Sequence, residues 1–215
     1  MSIGYYINLK HREDRKLHFE KIKSKFPFFK NVKRFGAIIN PNGALGCSIS
    51  HHAVLSLLEE ETRDMPENTN VIVCEDDFFI FNKEHFHDFL NNYENIKDDN
   101  WSVLTLTPRG DSDKNYKEYI NQGFLRITNN QTMSGYIVKK NFIPILRKTL
   151  EKGIQGMKNG GHPLQNTCDQ IWKTLQHEYV YIYYNKIYGG QVPSVSDLEG
   201  RFVDYNQRFL MQTNH

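Results

Sequence analysis

No apolar run in this chain approaches the ~20 residues a helix needs to cross a bilayer, and the 215 residues include only three cysteines. Cys47, Cys74 and Cys168 are odd in number, widely separated, and form no Cys-X-X-Cys pair of the kind used in zinc or redox sites. That usage fits a reduced, cytosolic setting. The opening Met-Ser-Ile-Gly-Tyr-Tyr has neither a basic n-region nor a long apolar h-region. The expectation is a soluble protein that reaches a membrane only through its substrate, for example a lipid-linked acceptor. An excess of one charge is missing too. The net charge is +2 with no long Lys/Arg block, which argues against nucleic acid as a partner. There is no internal repeat and no low-complexity block.

What is present is an ordinary globular composition, 39% hydrophobic and 24% charged, enriched in aromatics by 12 Tyr and 14 Phe. The length supports a single domain, expected over residues 1–200, with 201–215 as a peripheral extension. Its organising stretch is Asn70-Val71-Ile72-Val73-Cys74-Glu75-Asp76-Asp77. The apolar run reads as a strand covered on both faces. The carboxylates sit at its carboxyl end, where open α/β sheets place their ligands. Three adjacent carboxylates repel one another unless a cation or hydrogen-bond donors compensate, and all-oxygen donors suit Mg²⁺ or Mn²⁺ better than zinc. A solvated acidic turn is the plainer alternative.

Around that strand the pattern alternates strands and helices. Ile3 to Leu9 reads as a strand followed by an amphipathic helix carrying Leu17, Phe19 and Ile22. At the turn between them Asn8 is placed to bond a base or ribose and Arg12 or Arg15 a phosphate, unless these charges merely solvate the helix. Val32 to Ile39 reads as a second strand, Asn40-Pro41-Asn42-Gly43 as a turn, and Ala44 to Thr62 as a helix with Ser48 as a cap. His51 is either a donor facing ligand or a structural histidine. A helix from Lys83 to Asn95 and a strand from Trp101 to Leu106 lead to the polar Thr107–Asp113 segment, a surface loop or a lid. Phe124 to Thr128 and Met133 to Val138 suggest a hairpin or neighbouring strands, with Gly135 and Tyr136 marking a close ligand approach or simple packing. Phe142 to Leu150 reads as a helix, and Lys152 to Asn166, punctuated by glycines, as a loop over a site. Thr167 and Gln170 form a capping-box pattern around Asp169, which is either a dipole-stabilised first-turn acid or a base for a substrate hydroxyl. Tyr179 to Tyr188 reads as one long strand, running into a small, polar tail.

Several of these segments together resemble the family-25 glycosyltransferases, which include lipopolysaccharide and collagen galactosyltransferases. The matching residues are Ile7-Asn8-Leu9 with Arg12 and Arg15, Gly43-Ala44-Leu45-Gly46-Cys47-Ser48-Ile49-Ser50-His51, Val73-Cys74-Glu75-Asp76-Asp77, Gly135-Tyr136, Asp169-Gln170, and Gln191 with Ser196-Asp197. The resemblance implies a GT-A fold, an α/β domain with a central mixed, mostly parallel sheet flanked by helices. It implies a metal-dependent inverting transfer of galactose or glucose from a UDP-sugar to a glycan or glycosylated acceptor. The family's acidic motif is usually Asp-X-Asp, and this chain has Glu75-Asp76-Asp77 instead. Asp77 is then the best ligand for Mn²⁺ or Mg²⁺, Glu75 a second ligand or a ribose partner, and Asp197 a late ligand, with His162 the other candidate for that position. Asp169 is the first choice for the base and His162 the second. Asn8, Leu9, Arg12, Arg15, Ser48, His51, Glu75, Asp76, Gly135, Tyr136, Gln191 and Ser196 would bind the nucleotide sugar. The competing readings are a metal-dependent nucleotidyltransferase or nucleotide-sugar hydrolase, because an acidic strand end serves phosphoryl chemistry as well, and a non-catalytic carbohydrate-binding domain.

Overall fold

The computed structural model describes residues 3–96, 100–113, 122–195 and 200–205. Eight strands form the central sheet: β1 (Ile3–Asn8), β2 (Val32–Gly36), β3 (Asn70–Glu75), β5 (Val103–Thr105), β6 (Asp111–Asp113), β7 (Phe124–Thr128), β8 (Gly135–Lys139) and β9 (Tyr181–Tyr184), in the order β2-β1-β3-β8-β5-β9-β7-β6. Only β7 and β8 run against the others, so the sheet is mixed and mostly parallel in strand direction. Two short pairs lie outside it. They join β4 (Phe78–Ile80) to β10 (Gly189–Gln191) and β11 (Ser194–Val195) to β12 (Phe202–Val203).

Alternation along the strands builds a core on each face, because successive side chains point to opposite sides. Tyr5, Ile7, Val71, Val73, Tyr136 and Val138 point to one face, where α2 (Gly43–Glu61) and α4 (Ile143–Lys158) pack. Tyr6, Ile72, Cys74 and Ile137 point to the other, against α1 (Glu13–Lys25) and α3 (Lys83–Tyr93). That second face is largely aromatic. Tyr6 stacks on Phe19 at 4.2 Å between ring centroids, and Phe28, Phe29, Phe86 and Phe89 meet mainly edge to face.

Four sequence expectations change. Strands β7 and β8 are not a hairpin and not neighbours, because β5 and β9 lie between them. The connection crosses on a buried Asn130, which accepts from the Arg109 amide and the Trp172 indole and donates its own amide N–H to Gln176. The second strand stops at Gly36, leaving 37–42 as irregular chain. Of the long strand expected over Tyr179 to Tyr188 only β9 forms; 185–188 leave the sheet, and β10 begins beyond it at Gly189. Finally, Lys152–Lys158 is helix rather than loop, because α4 continues through Gly153 and Gly156. A Cβ on Gly153 would lie 2.3 Å from the Asn166 carbonyl oxygen, and one on Gly156 2.0 Å from the Asn166 side-chain oxygen. These glycines admit the short helix α5 (Pro163–Asn166) against α4 and do not break it.

Candidate functional site

The carboxyl ends of β1 and β3 open into a cavity of about 440 Å³, within the size range of small-molecule sites. Its floor is Glu75-Asp76-Asp77 with Arg15. One wall is the 37–44 segment with Cys47, and the opposite wall is Thr167-Cys168-Asp169. Gln191, Ser194, Val203 and Tyr205 close the rim, and Arg109 with 131–133 completes it. The apolar run ends where it does because Glu75 is the last residue paired in β3, after which the chain turns sharply through Asp76 and Asp77 into β4.

The three carboxylates have different surroundings. Asp76 is neutralised by the protein itself. Asn8 Nδ2 donates to Oδ2 at 2.7 Å and Arg15 Nη1 to Oδ1 at 3.2 Å, while Arg34 Nε locks Asn8 by donating to its Oδ1 at 2.7 Å. Burial still holds the Asp76 carboxyl above its ordinary range. Glu75 Oε1 faces His51 Nε2 at 3.2 Å and Cys47 Sγ at 3.5 Å. Burial pushes its carboxyl up, but the imidazole and thiol outweigh that and leave it lowered. Asp77 is compensated least. Gln191 Nε2 lies 3.4 Å from each carboxylate oxygen and Arg15 Nη1 3.6 Å from Oδ2. Burial, then the neighbouring Glu75 charge, push its carboxyl up to about 7. An oxygen donor set with under-compensated negative charge suits a hard divalent cation such as Mg²⁺ or Mn²⁺.

Asp169 is held by its neighbours. Thr167 Oγ1 donates to its Oδ1 at 2.7 Å and Gln170 Nε2 to its Oδ2 at 3.3 Å. The capping box expected at Thr167 does not form, because the threonine hydroxyl is directed at the aspartate and makes no bond to the first turn of α6 (Cys168–Ile171). The carboxylate therefore faces the cavity in one fixed orientation.

Of the other residues expected to bind a nucleotide sugar, Leu9, Arg15 and Gln191 line the cavity. Asn8 acts behind the floor through Asp76. Arg12 donates to the Val195 carbonyl at 3.2 Å, and Arg15 Nη2 to Ser194 Oγ at 2.7 Å, so α1 anchors the β11 segment beside the cavity. Four expectations are corrected. Ser48 is not a cap, since Asn42 caps α2, and its buried hydroxyl donates to the Ala44 carbonyl and accepts from the Cys168 amide. Gly135 makes room for Phe78, whose ring would lie 2.8 Å from an added Cβ. Tyr136 and His51 are fully buried beneath the cavity, bonded to each other at 3.3 Å through the tyrosine hydroxyl and Nδ1. His162 is exposed, caps α5 through Nδ1 and does not line the cavity. Ser196 and Asp197 lie outside the described residues.

Sequence reasoning missed several lining residues. The segment 201–205 is not peripheral, because β12 pairs with β11, Val203 and Tyr205 line the cavity, and the Arg109 guanidinium lies over the Tyr205 ring at 5.5 Å. It also missed Cys47 and Cys168, whose sulfurs lie 3.9 Å apart across 121 positions of sequence. With His51 they form a group whose ligand atoms all fall within 4.8 Å, a cluster that could hold a metal ion. Periodicity and spacing carry no signal for a pairing of that separation.

No family model and no curated protein matches the sequence. Among solved structures, the chain is similar to a glycosyltransferase involved in glycosylation of the major capsid of PBCV-1, at a TM-score of 0.52 and 10% identity, covering 93% of this chain and 97% of that one. Two further likenesses are weaker. The A197 protein from STIV gives a TM-score of 0.46 at 8% identity over 94% and 93% of the two chains. A protein described as mannose-1-phosphate geranyltransferase from Thermus thermophilus gives 0.38 at 9% identity over 85% and 73%. The first likeness and the sheet topology together show a GT-A-type fold. Among the described residues no helix is long and apolar enough to cross a membrane.

Proposed function

We propose that this chain is a metal-dependent, inverting glycosyltransferase of the family-25 kind, moving galactose or glucose from a UDP-sugar to a hydroxyl of a glycan or glycosylated acceptor. The observation that carries this reading is the placement of a buried, under-compensated Asp77 and a fixed Asp169 on the same cavity of a GT-A-type fold.

The chain's own residues divide the work as follows. Asp77, with Glu75 beside it and Asp197 as a further candidate, would hold Mn²⁺ or Mg²⁺. Such an ion supplies Lewis-acid compensation for charge developing on a departing diphosphate. Gln191 orients the Asp77 carboxylate. Asn8 and Arg15 hold Asp76 and offset part of its charge beside Asp77. The apolar Ala37–Ile39 wall offers a surface to a nucleobase. Asp169, held by Thr167 and Gln170, accepts the proton of the acceptor hydroxyl at a carboxylate oxygen. The acceptor oxygen then forms the new bond to the sugar's anomeric carbon from the face opposite the breaking bond, and UDP leaves with the electron pair.

Incubation with a panel of UDP-sugars, with Mn²⁺ and with EDTA, tests the reading through its products. Mn²⁺-dependent release of UDP, with a glycoside formed when acceptor is supplied, is expected. Release of sugar 1-phosphate instead, with the uridylyl group transferred, would assign the site to nucleotidyl transfer.

A further inference from the structure

Beneath the cavity, Cys47, His51 and Cys168 converge from two helices, and the end of β3 brings in Glu75. Cys47 and His51 are four residues apart on α2 and so share one face of it. Cys168 opens α6, where Ser48 Oγ accepts its amide N–H at 3.0 Å. We propose that these four residues form a site for one thiophilic divalent ion, Zn²⁺ by preference, bound by Cys47 Sγ, Cys168 Sγ, His51 Nε2 and Glu75 Oε1.

The distances carry the argument. Tetrahedral zinc, with bonds of about 2.3 Å to sulfur and about 2.0 Å to nitrogen and oxygen, sets two sulfurs about 3.8 Å apart. The same geometry sets sulfur and oxygen about 3.5 Å apart and nitrogen and oxygen about 3.3 Å apart. The corresponding separations here are 3.9 Å between Cys47 and Cys168, 3.5 Å between Cys47 and Glu75, and 3.2 Å between His51 and Glu75. These three of the six donor separations already match tetrahedral zinc, and the donor atoms of Cys47, Cys168 and His51 all lie within 4.8 Å of one another. A disulfide would instead require the two sulfurs to close to about 2.05 Å.

The surroundings fit as well. A ligating histidine ordinarily has its second ring nitrogen fixed by an outer partner, and Tyr136 hydroxyl meets His51 Nδ1 at 3.3 Å. Ser48 holds the Cys168 backbone in the same way. Two residues that do not reach the cavity thus acquire a role as supports of this cluster. Cys47, Glu75 and Cys168 line the cavity, which supplies the entry path. Thiolate and imidazole select a softer ion than the Asp77 carboxylate does, so the two positions would take different metals, with Glu75 giving Oε1 to the softer ion and only its second oxygen to the cation at Asp77. Binding releases the two thiol protons. It also ties α6 to α2 and β3 one residue before Asp169, so the ion would position that carboxylate without touching substrate.

Cobalt substitution tests the proposal on the whole chain, independently of any transfer activity. The purified protein, stripped of metal and kept reduced, is titrated with Co²⁺ alone. One equivalent should produce a thiolate-to-cobalt charge-transfer band with tetrahedral ligand-field bands, displaced by one equivalent of Zn²⁺. Cys168→Ser and His51→Gln should lose or strongly weaken the band, and Cys74→Ser should keep it. Asp77→Asn should also keep it, which separates this site from the cation proposed at the cavity floor. No charge-transfer band from the wild-type protein at saturating Co²⁺, or an unchanged band in Cys168→Ser, would overturn the proposal whether or not other variants fold.

Discussion

Asp77 is the residue on which the proposed chemistry turns, and its environment makes a prediction apart from catalysis. Its carboxyl ionises near 3.8 in a model peptide and at about 7 in the folded, metal-free protein, because it is buried beside Glu75. Between those values the folded state holds a proton that the unfolded chain has released. Stability is therefore fullest below about pH 4 as far as this group is concerned, and falls as pH rises through 7. Asp77→Asn removes that loss, so above pH 7 the metal-free variant should be the more stable protein, by at most about 4 kcal/mol for a shift of this size. Urea midpoints of wild type and variant at pH 5 and pH 8 check it, and a difference that does not grow with pH would contradict it. Removing Asp76 should have the opposite effect on stability. Asp76→Ala strips Asn8 and Arg15 of a buried partner, at a cost of about 1–3 kcal/mol.

Asp169 makes a kinetic prediction. Asp169→Asn keeps the contact with Thr167 Oγ1 but cannot take up the acceptor proton, so transfer should slow by about 10² to 10⁴-fold while UDP affinity stays near that of wild type. Both measurements are needed, since loss of affinity would make Asp169 a binding group. At this scale the sequence was legible where a carboxylate followed an apolar run or opened a helix. Ser48, Gly135 and Tyr136 were not, because a small or polar residue reads the same whether it faces a ligand or a neighbouring strand. Only the packing of Phe78 on Gly135 and of His51 on Tyr136 separates the two cases.

Among the elements, α4 shows how composition misleads. Glycine is a poor helix residue, worth about 0.8–1.0 kcal/mol against alanine in a helix interior, and three glycines between 153 and 160 read as a loop. The helix persists because two of them are where α5 approaches. Gly153→Ala should therefore destabilise the protein by about 1–3 kcal/mol despite the better helix former, since the new Cβ meets the Asn166 backbone oxygen and not a movable side chain. Thermal unfolding of the variant checks the sign. The same packing aligns α5 and α6, so the loss should also be felt at Asp169. Strands β1 and β3, with their alternating or continuous apolar runs, were legible; the crossing from β7 to β8 was not, because Asn130 ties together residues 109, 172 and 176 that no local pattern connects.

At the scale of the molecule, six strands in one direction bring the ends of β1 and β3 to one edge, and the C-terminal segment returns over that edge through Arg12, Arg15 and Arg109. The site is thus assembled from the first fifteen residues, the middle and the last described ones. The floor could be read in advance, while the rim at Tyr205 and the Cys47–Cys168 pair could not, because both depend on how distant segments meet. The central claim is that Asp77 anchors a cation which in turn anchors a UDP-sugar. Calorimetry of UDP binding, with and without Mn²⁺, on wild type, Asp77→Asn and Asp76→Asn tests it most directly. The account predicts Mn²⁺-dependent binding that is lost in Asp77→Asn and retained in Asp76→Asn. Equal affinity with and without Mn²⁺, or an Asp77→Asn protein that keeps the dependence, would contradict it.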